Sequence, residues 1–458
     1  MPIVPGGPAI QTILQDNSLQ KVFHDALFPS LLFRQEATAE VFEGQIGESK
    51  VRTRTGLLAV NLAPLAVGVD PGVTTYGVEQ WSVNPNQYGN SVDTSMPASR
   101  AALAKKVLED TKKVGLNAGE TINRLTRNRL YSTYTAGNTN ATVVAAIGAF
   151  AIHLASINGF TNSFVNGVLT GVSAANPLGI TFGGLEPATG VVAAVPDNAA
   201  APLGPGWITI NAALTVGVAA REAVLADDRA IVYRVGGGNS VDAIGAADIL
   251  TLQDFTNVVA MLRGNNVPKH SDGAYHAHLG PISEAQVFND NQWQRLHDSL
   301  PDHIEYKDFI MGRKVGVDYY ENTVTPDQNN SGVLVSTGAG ASFGSPEIGA
   351  DVINNAGVLV GRTIVTGLDV LTEDYIPEGD YLTEAGVTGK IGSASVTNNG
   401  VYFENERIRM TMRAPLDRLQ QIIAQTWSWS GDFGVPTDST TGGAARAKRA
   451  VIMESAIG

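Results

Sequence analysis

The side chains that come nearest to a metal site are two histidines in the segment GAYHAHLGP, residues 273–281. His276 and His278 are two positions apart, so both imidazoles would face the same side of a β-strand. Four further donors follow in the chain: His297, Asp298, Asp302 and His303. A zinc site needs three or four converging ligands, and the sequence has no H-E-x-x-H motif. We therefore predict no metal, with His276 and His278 as the candidate ligands if one binds, and interpret both as polar residues of a half-buried strand.

Two glycine-rich stretches do not form a nucleotide-binding motif. VGGGNS at 235–240 and GAGASFG at 338–344 lack both the GxGxxG spacing and the lysine of a phosphate-binding loop. The carboxylates along the chain are too dispersed to assign an acid–base pair. We therefore predict that the protein is not an enzyme and carries no cofactor.

Composition and charge limit the class of protein. The chain has 458 residues, of which 43% are hydrophobic, enough for two or three domains with buried cores. Its formal net charge of −13 argues against a protein whose whole surface binds nucleic acid, and the lack of cysteine excludes disulfide and thiol chemistry. The N-terminus has no signal-peptide pattern, and the apolar run at 141–157 is short for a membrane span and contains His153. We predict no membrane segment.

Residues 42–96 differ from the amphipathic helix that the spacing predicts over residues 10–33. SKVRTRTG and TYGVEQWSVNPNQYGN are typical of two extended strands, joined by a segment rich in proline and glycine. Such a hairpin cannot bury both of its faces alone, so we expect residues 49–92 to contact neighbouring subunits more than their own. The candidate intersubunit residues are Lys50, Arg52, Arg54 and Trp81. Glu48 and Arg52 beside Lys50 indicate an interface ion pair there rather than a covalent cross-link.

A long helix with an excess of positive charge is predicted for residues 97–137. Apolar residues recur at helical spacing: Leu103, Val107, Val114, Ala118, Ile122 and Leu125. Eight basic residues stand against three acids between positions 98 and 130. The first five are Arg100, Lys105, Lys106, Lys112 and Lys113, followed by Arg124, Arg127 and Arg129. They either face a polyanion or pair with Glu109, Asp110 and neighbouring subunits, and both alternatives stay open.

The remainder of the chain alternates between a β-rich module and mixed elements. Residues 138–245 contain no lysine or arginine up to position 220 and are typical of an inserted β-rich module. After it, helical spacing appears at 248–268, and a strand with the two histidines leads into a helix from the predicted N-cap Ser283 to about residue 300. Extended patterns follow at 313–323, 357–372, 407–414 and 447–456. The segment 416–430 is predicted as a helix, or as a helix followed by a strand.

The order of these elements resembles the Hong Kong 97-type fold of tailed-phage major capsid proteins, and within it the coliphage N-four-type family. The stretches that carry the resemblance are WSVNPNQYGNSVDTS (81–95), TINRLTRNRLYSTYTAG (121–137), NNVPKHSDGAYHAHLGPISEAQVFNDNQW (265–293) and RAPLDRLQQIIAQTWSWSGDFG (413–434). The resemblance covers roughly three quarters of the chain, and the module at 138–245 departs from it.

The resemblance implies an α+β fold with six regions. These are an N-terminal arm (1–41), an extended loop (42–96), the spine helix of a peripheral domain (97–137), an insertion domain (138–245), an axial domain with returns to the peripheral domain (246–400), and C-terminal strands and helix (401–458). The implied function is structural: pentamers and hexamers of an icosahedral shell around double-stranded DNA. Possible partners are scaffold, portal and decoration proteins, with non-specific contact to packaged DNA. The implied location is the virion, with assembly in the host bacterial cytoplasm.

The start of the chain bears on the scaffold. The extended loop begins about forty residues after Met1, so we expect a separate scaffold protein, if any, rather than a long N-terminal scaffolding segment. Three alternatives were weighed against the capsid interpretation: an encapsulin-like shell with protein cargo, a metal-dependent hydrolase using His276 and His278, and a tail or adhesin protein. The long basic helix and single extended hairpin argue against the last of these.

Overall fold

A computed structural model describes the chain over residues 16–44, 46–55, 60–62, 64, 68, 70–74, 76, 78–95, 103–165, 168–182, 186–199, 202–297, 311–323, 357–377, 387–391, 394–397, 400–413, 421–437 and 446–457. The chain forms two compact units. Unit 1 comprises Met1–Val51, Ser82–Arg127 and Leu371–Gly434, and unit 2 comprises Arg52–Trp81, Asn128–Val370 and Val435–Gly458.

Five α-helices lie in the described residues. They are α1 (Ser18–Leu27), α2 (Leu103–Tyr134), α3 (Leu252–Gly264), α4 (Pro281–Phe288) and α5 (Asn291–His297), with 3-10 turns at Phe28–Ser30, Phe33–Glu36 and Val241–Ala243. Helix α3 begins with a capping box between Thr251 and Asp254, as Thr-x-x-Asp before an apolar run predicts. None of the described helices is both long enough and apolar enough to cross a membrane.

The strands are numbered in chain order. They are β1 (Ala37–Val41), β2 (Lys50–Thr55), β3 (Val78–Val83), β4 (Asn86–Ser95), β5 (Asn138–Asn140), β6 (Ala151–Leu154), β7 (Asn162–Val165), β8 (Val168–Gly171), β9 (Leu178–Phe182), β10 (Glu186–Pro196), β11 (Gly206–Ile210), β12 (Ala223–Ala226), β13 (Val232–Arg234), β14 (Tyr275–Leu279), β15 (Arg313–Lys314), β16 (Val317–Glu321), β17 (Val360–Thr366), β18 (Leu371–Tyr375), β19 (Val387–Ile391), β20 (Ala394–Thr397), β21 (Gly400–Asn405), β22 (Ile408–Arg413), β23 (Ile422–Gly434) and β24 (Ala450–Ala456). Helices and mostly antiparallel sheets together confirm the α+β class.

Unit 1 is built around one sheet of eight strands. Its order is β1-β18-β23-β22-β21-β20-β19, and β4 pairs with β23 through all ten of its residues. Helix α1 lies against α2 at Gly115, where an added Cβ would come within 2.9 Å of the Phe23 carbonyl oxygen. The missing side chain of Gly115 therefore allows the two helices to approach closely.

Unit 2 contains three sheets. The mixed sheet β13-β24-β17-β14-β16-β15 carries the histidine strand near its centre, and helices α3 and α4 contribute Phe255, Leu262 and Val287 to the core on that sheet. The sheet β5-β12-β9-β10-β11-β6 lies within residues 138–226 and has its own buried cluster, which includes Ile152, Phe160 and Ile208. The prediction of a β-rich module in this part of the chain is confirmed. The fourth sheet of the chain has the order β2-β3-β8-β7.

The prediction that residues 49–92 contact mainly neighbouring subunits is wrong for residues 86–92. Strand β4 is paired within its own unit with β23, which lies more than 300 residues later in the sequence. The described residues between β2 and β3 agree with the expectation of few contacts inside the subunit. Val60, Leu62 and Val73 expose 83%, 90% and 98% of their surface.

Residues 422–430 form the strand β23, which agrees with the predicted alternative of a helix followed by a strand and excludes a helix throughout. Alternate side chains from Ile423 to Trp429 are buried, and residues 416–420 lie outside the described part. One helix prediction needs correction. The helix predicted to start at Ser283 begins earlier, with Gly280 as N-cap and Pro281 in the first turn, and it ends at Phe288 before α5 begins. The amphipathic helix predicted over 10–33 is helical from Ser18 to Leu27, and the one predicted over 97–137 from Leu103 to Tyr134.

Candidate functional site

The histidine corner of unit 2 is a network of ion pairs. His276, on β14, has its Nε2 3.1 Å from Asp272 Oδ2. The Arg313 guanidinium donates to Asp272 Oδ2 at 3.1 Å and to both carboxylate oxygens of Asp318 at 2.7 and 2.6 Å. Burial would raise the pKa of Asp272, but a hydrogen bond from the Ala274 N–H and one from His276 outweigh it and lower the pKa to about 2. Asp272 is thus ionised and already paired with the guanidinium of Arg313.

The two histidines do not converge on one point. Asp272, His276 and Asp318 place ligand atoms within 4.8 Å of one another, and His278 belongs to no such group among the described residues. The His278 side chain is buried and its ring lies 5.6 Å from that of Tyr320. The side chain of His297 and residues Asp298, Asp302 and His303 lie outside the described part. Because Arg313 bridges both carboxylates, the corner has the charge balance of a structural network, and the absence of a metal stays a prediction.

Glu284, in the first turn of α4, is a buried carboxyl group that the sequence pattern did not single out. The residue exposes 6% of its surface, and its Oε2 has no hydrogen-bond partner in the described structure. Burial, and to a lesser degree the negative charge of Glu321, raise the pKa of Glu284 to about 7 from an ordinary value of 4.5. The folded protein therefore holds a proton on Glu284 that the unfolded chain releases near pH 4.5.

Because folding raises this pKa, stability is greatest below the unfolded value and falls as pH rises through about 7. We expect Glu284→Gln to remove that loss: the variant should match the wild type near pH 4 and exceed its free energy of unfolding at pH 8 by about 2–3 kcal/mol. Urea unfolding at both pH values measures the difference. Glu43→Gln, at an exposed carboxylate, is the control and should show no such divergence. Parallel pH profiles for wild type and Glu284→Gln would contradict the assignment.

The basic residues of helix α2 divide into two groups. Lys105, Lys112, Lys113, Arg124 and Arg129 are exposed, whereas Arg127 exposes 1% of its surface. Lys106 donates to Asp110 Oδ1 at 2.8 Å, and this ion pair raises the pKa of Lys106. Arg127 is therefore too buried to face a polyanion, and Lys106 agrees with the second alternative, a pair with Asp110 on its own helix; for the exposed cations the assignment stays a prediction. Arg100 lies outside the described residues.

The first four exposed cations share one side of the helix. At 100° per residue, Lys105, Lys112, Lys113 and Arg124 fall within about 120° of one another. Glu109 and Glu120 lie in the same sector and are also exposed. Four positive charges against two negative ones leave this face net positive in a chain whose formal charge is −13.

The predicted intersubunit residues lie in different environments. Lys50 Nζ is 3.8 Å from Asp374 Oδ1, 3.5 Å from the Val41 carbonyl oxygen and 5.8 Å from the centre of the Phe42 ring. Lys50 is therefore committed inside unit 1, which does not fit the predicted interface ion pair. Arg52, Arg54 and Trp81 are half-buried, and the indole N–H of Trp81 is buried without an acceptor in the described structure.

Long-range contacts that the sequence did not reveal fix β4 to helix α2 and strand β23. The Thr94 hydroxyl donates to Asp110 Oδ2 at 2.7 Å. Asn117 Oδ1 accepts from Asn90 Nδ2 at 3.1 Å and from the Trp427 indole at 2.9 Å. The face of the helix that carries Asp110 and Asn117 is thus tied into the sheet.

Comparison with known proteins gives matches among solved structures only. No family model matches the chain, and no curated protein matches it. The capsid asymmetric unit of Cyanophage Pam1 is similar over 92% of this chain and 88% of that one, with 9% identity and a TM-score of 0.49. The capsid of Cyanophage P-SCSP1u covers 93% and 88% at 9% identity (TM-score 0.47). The head structure of Helicobacter pylori bacteriophage KHP40 covers 93% and 92% at 8% identity (TM-score 0.47).

Proposed function

We propose that this chain is the major capsid protein of a tailed bacteriophage and assembles into an icosahedral shell around double-stranded DNA. The observation that carries the proposal is the apolar surface between β2 and β3. Val60, Leu62 and Val73 are almost fully exposed, and Tyr76 exposes 53% of its surface. Large apolar side chains exposed to this degree are a mark of a protein–protein contact. In the proposed shell, neighbouring copies of the chain cover these exposed side chains.

The order of the described elements supports the same proposal. A short helix (α1) is followed by two extended strands (β2 and β3), a helix of 32 residues (α2) and mixed helix–sheet structure that ends on β24. This is the succession that the capsid resemblance implied. Pentamers and hexamers, with scaffold, portal and decoration proteins as partners, are part of the proposal, as are the virion as location and assembly in the host cytoplasm.

The proposal assigns the insertion domain to the outside of the shell or to contacts between subunits. Residues 138–220 contain no lysine or arginine, so this surface has no cation to pair with phosphates. Because the domain has its own buried cluster, it does not depend on the other sheets for its core. The net positive face of helix α2 is instead assigned to the genome.

Serine replacements at Val60, Leu62 and Val73 test the shell directly. The wild-type full-length chain should form closed shells visible by electron microscopy, alone or with a scaffold protein. The triple variant should stay folded, because these side chains contact little in their own subunit. Its shell yield should fall by about tenfold or more, because each subunit loses three apolar side chains that the assembled shell would bury.

A matched control replaces Val143, Val144 and Ile147, exposed apolar residues of the insertion domain. Circular dichroism and urea unfolding establish that both variants fold. Shells should form in the control. Normal assembly of the Val60, Leu62 and Val73 variant would overturn the role assigned to this segment.

A further inference from the structure

The outer face of the insertion domain carries an exposed tryptophan beside a fixed polar pair. Trp207, on β11, exposes 48% of its surface. Its in-register neighbours are His153 on β6 and Val195 on β10, so these three side chains form one row across the sheet. The alternate residues of β6 and β11, such as Ile152 and Ile208, face the buried core. The tryptophan is thus held on a rigid strand and directed away from the core.

The neighbouring row on the same face is made of small side chains. Ala151, Thr209 and Ala193 are paired in register next to the Trp207 row. Ala151 and Thr209 are exposed. Because the indole of Trp207 stands beside these small side chains, the surface has a shallow depression here, which we call the shelf. One flat ring can lie in it against Trp207.

Hydrogen-bonding groups at the edge of this shelf are already oriented. His153 Nε2–H donates to Asp197 Oδ2 at 2.7 Å, since a carboxylate can only accept. The Thr142 hydroxyl donates to His153 Nδ1, and the His153 ring packs edge-on to Trp207 with a centroid distance of 4.9 Å. The Asp197 side chain nevertheless keeps 42% of its surface exposed. The Asp197 carboxylate is therefore held in a fixed orientation at the edge of the shelf.

We propose that this shelf binds a neutral saccharide. The C–H groups on one face of a pyranose ring pack on an indole, while its hydroxyls donate to a carboxylate such as Asp197 and exchange hydrogen bonds with Thr209. Charge selects against anionic ligands: residues 138–220 supply no lysine or arginine, and Asp197 would repel a sialic acid, a uronic acid or a phosphate. The proposal does not depend on the shell-forming function.

An array of neutral and acidic oligosaccharides, probed with the full-length protein, tests the site. A fluorophore attached to lysine is suitable, because residues 138–220 contain no lysine that it could modify. The wild type should bind neutral hexose or N-acetylhexosamine glycans. Trp207→Ala should weaken that binding by about tenfold or more, the loss of one stacking contact, and Asp197→Ala should weaken it as well. Trp207→Phe should retain part of the affinity.

Ile147→Ala is the matched control, because Ile147 is another exposed apolar residue of the same domain, and the binding of this variant should equal that of the wild type. Sedimentation velocity on the same proteins addresses the other occupants. The proposal is overturned by an absence of neutral-glycan binding, by binding to acidic glycans alone, or by binding that Trp207→Ala leaves unchanged. It is also overturned if Trp207→Ala abolishes self-association while no glycan binds, because the face would then contact a second copy.

Discussion

Replacing Arg34 with methionine should lower the free energy of unfolding by about 3–5 kcal/mol, because it leaves the buried carboxylate of Glu373 without its main partner. Glu373 exposes none of its surface, and Arg34 exposes 3%. Arg34 Nε donates to Glu373 Oε2 at 3.0 Å, and its Nη2 donates to Oε1. Arg407 Nη2 approaches Oε2 at 3.0 Å but remains 30% exposed, so it compensates the charge less completely.

A double-mutant cycle separates the ion pair from the packing. Glu373→Leu alone should also be strongly destabilising, whereas the double replacement with Arg34→Met should recover much of the loss, because it leaves no unpaired charge between these positions. Urea unfolding of the unassembled protein gives the four stabilities. Arg221→Ala, which removes an exposed guanidinium from its pair with the partly buried Asp242, is the control and should cost clearly less than Arg34→Met. If the two single effects simply add in the double variant, the coupling inferred from the structure does not exist.

These ion pairs mark the limit of what the sequence could predict. Arg34 and Glu373 are 339 residues apart, and neither lies in a local pattern that singles it out. The same holds for Glu454, which is buried between Arg234 and Arg362 in unit 2. The spacing of apolar residues predicts which face of a helix or strand is buried. It does not predict which charged residue, distant in the sequence, packs against that face.

Strand and helix predictions succeeded where the pattern itself decided the structure. Helix α3 has a capping box and a regular apolar stripe, and the strand with His276 has strict alternation. The segment 416–430 was harder, because LDRLQQ favours a helix while IIAQTWSWS alternates. In the structure Gln425 is fully buried, with Thr111 as its side-chain partner and the Val107 carbonyl as acceptor. A buried glutamine is compatible with a strand here only because helix α2 supplies both groups.

The hairpin prediction failed at β4 for a related reason. Its sequence, NQYGNSVDTS, shows no run of apolar residues that would indicate a packing partner nearby. The partner, β23, supplies the buried Trp427 and Trp429 and a full ladder of backbone hydrogen bonds. A polar and largely exposed strand can therefore be held at the edge of a sheet when the strand beside it carries the apolar side chains.

The proposed genome-facing role of helix α2 predicts the second large effect. Confined DNA has a high density of negative charge, and an acidic coat repels it unless positive charge is gathered on the inner side. Lys105, Lys112 and Lys113 are exposed on one side of helix α2, while Lys106 is paired with Asp110 and is left unchanged. Replacing the three exposed lysines by glutamine should leave empty shells intact but reduce the yield of DNA-filled particles several-fold, since three phosphate contacts per subunit are lost. The remaining filled particles should release their DNA at lower salt concentration than the wild type.

The control must remove equal charge elsewhere. Glutamine at Lys21, Lys269 and Lys390, which are exposed and lie outside helix α2, also removes three positive charges per subunit. Filled-particle yield and DNA retention across a salt series are compared for the two variants and the wild type. Because phosphate contacts do not depend on base sequence, the defect should be the same for genomes of different composition. If both triple variants package the same amount of DNA, packaging depends only on the net charge of the subunit, and helix α2 has no genome-facing role. If the helix variant packages as the wild type does, its lysines serve contacts with solvent or neighbouring subunits.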